Sequence, residues 1–229
     1  MPIAFARHRT ALLRANIGIL QQKLGLMHAL RKMLGPEQAN LKFAEKCPVV
    51  GASIGQHFRH SLDHVEKVAK IIEANNEGGN EKEIHFDIRA RGGSDENDMD
   101  DAEERIQRVT NLFREDIHAT RPSSLPELAH EYKDNDAAAG MDILDNTSVL
   151  ACFMLSGDPQ ADEFMLSSTI ERELGFVAHH AIHHLAMVKI ITMHTLKLLP
   201  PDALPKGFGL APSTIVYESS QEQEQQSQW

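Results

Sequence analysis

The sequence predicts an all-α fold of four long helices with a small β-hairpin and long loops. In four segments the apolar residues recur every three or four positions, capping sequences precede two of these segments, and Gly or Pro follows each of them. Hydrophobic residues make up 41% of the 229 residues, enough for one core. We expect one domain over residues 1–217 and a disordered tail rich in Gln, Glu and Ser over residues 218–229.

The first two helices are delimited by turn and capping residues. The first is predicted over residues 10–34, because Gly35-Pro36 is a typical helix stop. The second is predicted to begin after Ser53, whose hydroxyl can cap the helix, and Gln56 completes a capping box. It frays into a segment that contains Gly78 and Gly79.

The third helix follows the acidic stretch SDENDMDDAEE, whose carboxylates favour a helix N-terminus, and it ends before Pro122. The fourth is predicted over about residues 169–198, with Ser168 and Glu171 as its capping box and Pro200-Pro201 as its end. Between these helices, residues 148–155 and 163–166 predict a hairpin. The segment 84–93 is expected to be irregular or extended.

Net charge indicates which partners to expect, and the N-terminus and the cysteines indicate the compartment. The net charge of −10 argues against nucleic acid or an anionic membrane surface, since both require clustered Lys and Arg. The N-terminus has Arg7, Arg14 and Asn16 where a signal peptide would be apolar. Cys47 and Cys152 are isolated, which suits a reducing compartment. We therefore expect a cytoplasmic protein without a membrane segment.

Seven of the thirteen histidines lie in two short stretches. The second helix carries His57, His60 and His64 in GQHFRHSLDH, and the fourth carries His179, His180, His183 and His184 in FVAHHAIHH. Neutral imidazole is the commonest protein ligand for transition metals. This crowding therefore indicates a metal site.

Helical spacing defines how these imidazoles could converge. Residues four apart share a helix face, so either His179 and His183 or His180 and His184 could bind one ion. The His180/His184 stripe continues through Glu173 and favours the core-facing side. A histidine of the second helix can reach the same ion across a helix–helix contact of about 8–10 Å. The result is a three-histidine site with open positions, which is more typical of catalysis than of structural metal binding.

The motifs resemble those of the DinB-like family of metal-binding bundles. The resembling segments are SIGQHFRHSLDH (residues 53–64), HFDIRARG (85–92), STIERELGFVAHHAIHHLAM (168–187) and FGLAPSTIVY (208–217). The resemblance implies an up-down-down-up four-helix bundle over residues 1–217 that can form a homodimer. It implies metal ligands at His60, His180 and His184. The chain has extra histidines beside these positions, so His57, His64 and His183 are alternates.

The leading hypothesis is a metal-dependent enzyme, a transferase or hydrolase, acting on a small substrate that could contain a thiol. The metal would be zinc, nickel or iron. Glu173 is a candidate for supporting a metal ligand or for proton transfer. Arg59 and Arg89 are candidates for binding an anionic group of the substrate or, alternatively, form ion pairs. The competing hypotheses are a non-catalytic metal-binding or stress protein without turnover, and a dimeric helical scaffold without metal.

A second pattern predicts a different chemistry. Residues 51–55, GASIG, fit the GxSxG motif of serine hydrolases. That fold requires repeated strand–helix units, which the sequence lacks. We therefore interpret Ser53 as a helix cap.

Overall fold

The protein is mainly helical, with one small sheet. The computed structural model describes residues 2–88, 92–119, 148–158, 160–200 and 202–226. The elements are helices α1 (Pro2–Leu34), α2 (Pro36–Ala44), α3 (Ile54–Asn76), α4 (Met99–Ala119), α5 (Ile170–Lys189) and α6 (Pro212–Gln226), and strands β1 (Glu83–His85), β2 (Ser148–Phe153) and β3 (Phe164–Thr169). The four predicted helices are α1, α3, α4 and α5, whereas α2 was not predicted.

The four long helices enclose the core. Helix α1 packs against α4 and α5, and α3 packs against the same two helices, most extensively against α5. The core contains Leu20, Met27, Phe58, Val65, Phe113, Leu174 and Val177, each with at most 2% of its surface exposed. Burial of these side chains supplies the main favourable term for folding. It also holds the histidine-bearing faces of α3 and α5 against each other.

The capping box at the start of α3 is confirmed. The N–H of Gln56 donates to Oγ of Ser53 at 3.0 Å, and the N–H of Ser53 donates to Oε1 of Gln56 at 3.1 Å. One residue into the helix, a Cβ on Gly55 would lie 2.1 Å from the carbonyl oxygen of Glu96. A side chain cannot fit there, so Gly55 allows the loop before α4 to approach α3 closely.

The predicted cap of α5 was placed one residue too early. Thr169 caps this helix and accepts the N–H of Arg172 at 3.2 Å. Ser168 instead belongs to β3, and its hydroxyl donates to the carboxylate of Glu173. The strand continues to the first turn of the helix, which moves the cap by one position.

The predicted hairpin is confirmed, and it belongs to a larger sheet. Strands β2 and β3 pair antiparallel, from Ser148 opposite Thr169 to Phe153 opposite Phe164. Strand β1 pairs parallel with β2 on its other side, which the sequence did not predict. This pairing brings the chain after α3 to the side of the histidine cluster described below.

The last predicted helix is not a regular α-helix to its end. It widens into a π-helical turn over Ile190–Thr195.

The tail was expected to be disordered. For residues 218–226 this prediction is wrong, because they belong to α6. The third helix was expected to end before Pro122, which lies outside the described residues.

One described segment, Ile170–Thr195, is long and apolar enough to cross a membrane when judged by length and composition alone. The core helix of a soluble protein passes the same test. Its α-helical part packs against α1 and α3, and its histidines contact those of α3.

Candidate metal centre

Helix α3 presents three histidines toward α5. His57 and His64 are buried, and His60 is half-buried. Their spacing of three and four residues keeps the three imidazoles on one face of the helix. The packing of α3 against α5 brings this face to the histidines of α5.

On α5, burial distinguishes the two histidine pairs. His180 and His184 are half-buried and their rings contact that of His60, with centroids 5.0 and 4.7 Å away. His179 and His183 are exposed. The pair that faces α3 is therefore His180 and His184, on the stripe that the sequence favoured.

Three of these imidazoles could hold a metal ion. His60, His64 and His180 each offer one ring nitrogen, and these nitrogens lie within 4.8 Å of one another. Nε2 of His60 is 3.2 Å from Nε2 of His180. Imidazole nitrogens bind transition metals at about 2.0–2.1 Å, so modest ring movements would allow the three to share one ion.

The orientation of His64 suits this role. Its Nδ1–H donates to the carbonyl oxygen of His60 at 3.0 Å. A neutral imidazole that donates through Nδ1 has its lone pair on Nε2. Such a hydrogen bond, made by the nitrogen away from the ion, is the usual means of orienting a metal-binding histidine.

His184, which the resemblance implies as a ligand, makes a different contact. Its Nδ1 lies 2.9 Å from Nδ1 of His57, while its ring remains adjacent to those of His60 and His180. Burial, together with the neighbouring His180, His60, His57 and Lys23, lowers the pKa of His184 from 6.5 to about 2. Burial also lowers the pKa of His57. Both rings are therefore neutral at physiological pH, the form that binds cations.

A wall of three phenylalanines closes one side of the cluster. Phe86 stacks on His64 with ring centroids 5.2 Å apart, and Phe176 stacks on His180 at 5.9 Å. Phe153 packs against both phenylalanines. Phe86 follows β1 and Phe153 ends β2, so the parallel strand pairing positions the wall. Such a wall lowers the local dielectric and strengthens electrostatic interactions at the site.

Only one of the three phenylalanines could be placed beside the histidines from the sequence. Phe176 lies four residues before His180, so helical spacing places the two rings on one face. Phe86 and Phe153 lie far apart in sequence and meet only because β1 joins β2.

Arg59, a candidate for substrate binding, forms ion pairs. Its Nε donates to Glu96 at 2.6 Å, and its Nη1 donates to Asp63 at 3.0 Å. It lines a cleft of about 610 Å³ between α3 and α4, whose wall carries five basic and five acidic side chains. This balance gives no net attraction for an anion. The other candidate, Arg89, lies outside the described residues.

Glu173, the candidate for proton transfer, is fully buried near the start of α5. One carboxylate oxygen accepts from Arg172 at 2.7 Å and from Ser168. Its other oxygen is buried without a hydrogen-bond partner among the described residues. Seven residues separate Glu173 from His180, which is about 10 Å along the helix.

No protein-family model matches the chain, and no curated protein or solved structure matches it. The histidine cluster itself is therefore the main indication of function.

Proposed function

We propose that this protein is a DinB-like metalloprotein in which His60, His64 and His180 hold a divalent metal ion for catalysis on a small substrate. The observation that carries the proposal is the convergence of these three ring nitrogens within 4.8 Å. The up-down-down-up bundle implied by the resemblance belongs to the same proposal, as does a homodimer. The location is proposed to be the cytoplasm.

The donor set fits an ion that prefers nitrogen. The three ligands are imidazoles, which suits zinc, nickel or iron better than magnesium or calcium. A bound ion would supply Lewis-acid chemistry, either by polarising a substrate atom or by lowering the pKa of a water. Three protein ligands leave coordination positions for that substrate or water.

The protein side of the site would bind and shield the substrate. Phe153 and Phe176 are half-buried, so their accessible faces offer apolar contact beside His180. The hydrogen bond from His64 to the His60 carbonyl orients one ligand before the ion arrives. A small, partly apolar substrate, such as a thiol, suits this environment.

A non-catalytic metal-binding protein is the second candidate, and two observations favour it. Arg59 is engaged with Asp63 and Glu96, and Glu173 is engaged with Arg172 and Ser168. Arg59 and Glu173, two of the three candidates for binding or protonating a substrate, therefore have structural partners. Under this candidate the ion serves storage, sensing or stress protection.

Metal content tests the binding part of the proposal. We expect metal-free protein to take up Zn²⁺ and to retain at least one tightly bound equivalent after gel filtration, measured by elemental analysis. His60→Ala, His64→Ala and His180→Ala should each lose that ion, whereas the exposed His179→Ala should retain it. Free Zn²⁺ at about 100 times Kd should add about 2.7 kcal/mol to the free energy of unfolding of the wild type. Wild-type protein that binds no ion would refute the proposal.

Turnover separates the two candidates. Metal-loaded protein would be assayed with pairs of a thiol and an electrophilic acceptor, and with esters. An enzyme should give rates that chelation and His64→Ala abolish and that His179→Ala preserves. A protein that binds zinc tightly without turning over any of these substrates would contradict the catalytic candidate and support the binding protein.

A further inference from the structure

His57 and His184 form a second imidazole pair beside the proposed metal site. Their Nδ1 atoms lie 2.9 Å apart. His57 is 8% exposed, and its Nε2 is buried without a hydrogen-bond partner among the described residues. The three-histidine site does not use either ring, so the pair requires its own explanation.

A hydrogen bond alone is a weak reason for this arrangement. Two neutral imidazoles can form one hydrogen bond through these nitrogens, with one ring as donor and the other as acceptor. Such a bond adds little to stability, while a buried nitrogen without a partner costs at least as much. The pair therefore gives little net stabilisation by itself.

The spacing of the pair matches that of two ligands on one ion. With metal–nitrogen bonds of about 2.0–2.1 Å, ligands separated by 90° to 109° at the ion lie about 2.9–3.4 Å apart. The Nδ1 atoms of His57 and His184 are at the short end of this range. The Nε2 atoms of His60 and His180, at 3.2 Å, are within it.

The two pairs are neighbours. The ring centroids of His60 and His184 are 4.7 Å apart, and those of His180 and His184 are 4.6 Å apart. Pairs of ions in two-metal sites are about 3.5–4 Å apart and can hold one small ligand between them. Because these rings are in contact, two ions bound by the two imidazole pairs would be neighbours.

We propose that His57 and His184 bind a second divalent, imidazole-preferring ion next to the ion held by His60, His64 and His180. This inference rests on the proposed function, because the second ion extends the same cluster. Two protein ligands hold an ion less tightly than three, so the second ion binds more weakly and keeps more positions open. Those positions would accept water or a substrate atom that both ions contact.

The test is the stoichiometry of the full chain. Metal-free protein would be titrated with Co²⁺, followed by its visible absorption, and with Zn²⁺, followed by equilibrium dialysis and elemental analysis. We expect two equivalents per chain, the second bound at least tenfold more weakly. His57→Ala should bind one equivalent, and His179→Ala should bind two. Far-UV circular dichroism would verify the helicity of each variant.

The results separate this inference from the proposed function. One equivalent in the wild type would overturn the second ion and leave the three-histidine site intact, whereas no bound ion would overturn both. If the second equivalent persisted in both His57→Ala and His184→Ala, its assignment to this pair would be wrong. The wild-type stoichiometry decides the inference even if a variant fails to fold.

Discussion

Lys23 places an amino group inside the core, and this burial predicts how stability depends on pH. Its Nζ donates to the carbonyl of Phe58 at 3.0 Å and to Oγ of Ser61 at 2.5 Å, and the side chain is fully buried. Burial, reinforced by the positive charge of Arg105 and opposed by Asp63, lowers the pKa of Lys23 from 10.5 to about 7. The folded protein therefore releases this proton more readily than the unfolded chain.

The sign and size of the effect follow from proton linkage. Between pH 7 and 10.5 the unfolded chain binds about one more proton at Lys23 than the folded protein does. Stability rises with pH wherever the unfolded state binds more protons, by about 1.4 kcal/mol per pH unit for one proton. From pH 7 to pH 9 the contribution from Lys23 amounts to about 2–3 kcal/mol. Well below pH 7 both states are protonated and the contribution is constant.

Urea denaturation followed by far-UV circular dichroism would measure the effect. Wild type and Lys23→Met would be compared at pH 6, 7, 8 and 9, with a chelator present so that no bound metal contributes. The free energy of unfolding of the wild type should gain about 2–3 kcal/mol relative to Lys23→Met between pH 7 and 9. The exposed Lys32→Met, on the same helix, should follow the wild type. Equal slopes for wild type and Lys23→Met would refute the lowered pKa.

Two further changes test the packing around the site. Gly55→Ala should destabilise the protein against urea, because the new Cβ would lie 2.1 Å from the Glu96 carbonyl oxygen. The control Gly18→Ala has open space around it and should stabilise α1 by about 0.5–1 kcal/mol. Equal effects of the two changes would contradict the close approach at Gly55. Phe86→Ala should lower the free energy of unfolding by about 3–5 kcal/mol, because the ring is fully buried against the histidine cluster. A loss under 1 kcal/mol would show that the phenylalanine wall does not contribute to packing.

Much of the helical framework could be predicted because its signals are local. The apolar periodicity of α1, α3 and α4, and the capping box at Ser53, depend on residues within a few positions of each other. Helix α2 is not predicted, because a Gly-Pro pair is a typical helix stop, whereas here Pro36 occupies the first turn of a new helix. Strand β1 could not be predicted because its partner β2 lies more than 60 residues away in sequence.

The site divides in the same way. Local spacing placed His57, His60 and His64 on one face of α3, and it left two pairs open on α5. Which pair faces α3 depends on how the two helices pack. The partial burial of His180 and His184, beside the exposed His179 and His183, shows that the first pair faces α3. The ion pairs of Arg59 with Asp63 and Glu96 were among the predicted alternatives, but the second of them joins residues 37 positions apart.

By itself, the sequence determined the helical class and the two histidine-bearing helices, because hydrophobic periodicity and capping act over a few residues. Only the tertiary structure decided which imidazole nitrogens approach one another, since those distances depend on the packing of α3 against α5. It also decided that Phe86 and Phe153 enclose the cluster, because a parallel strand pairing brings them together from distant parts of the chain.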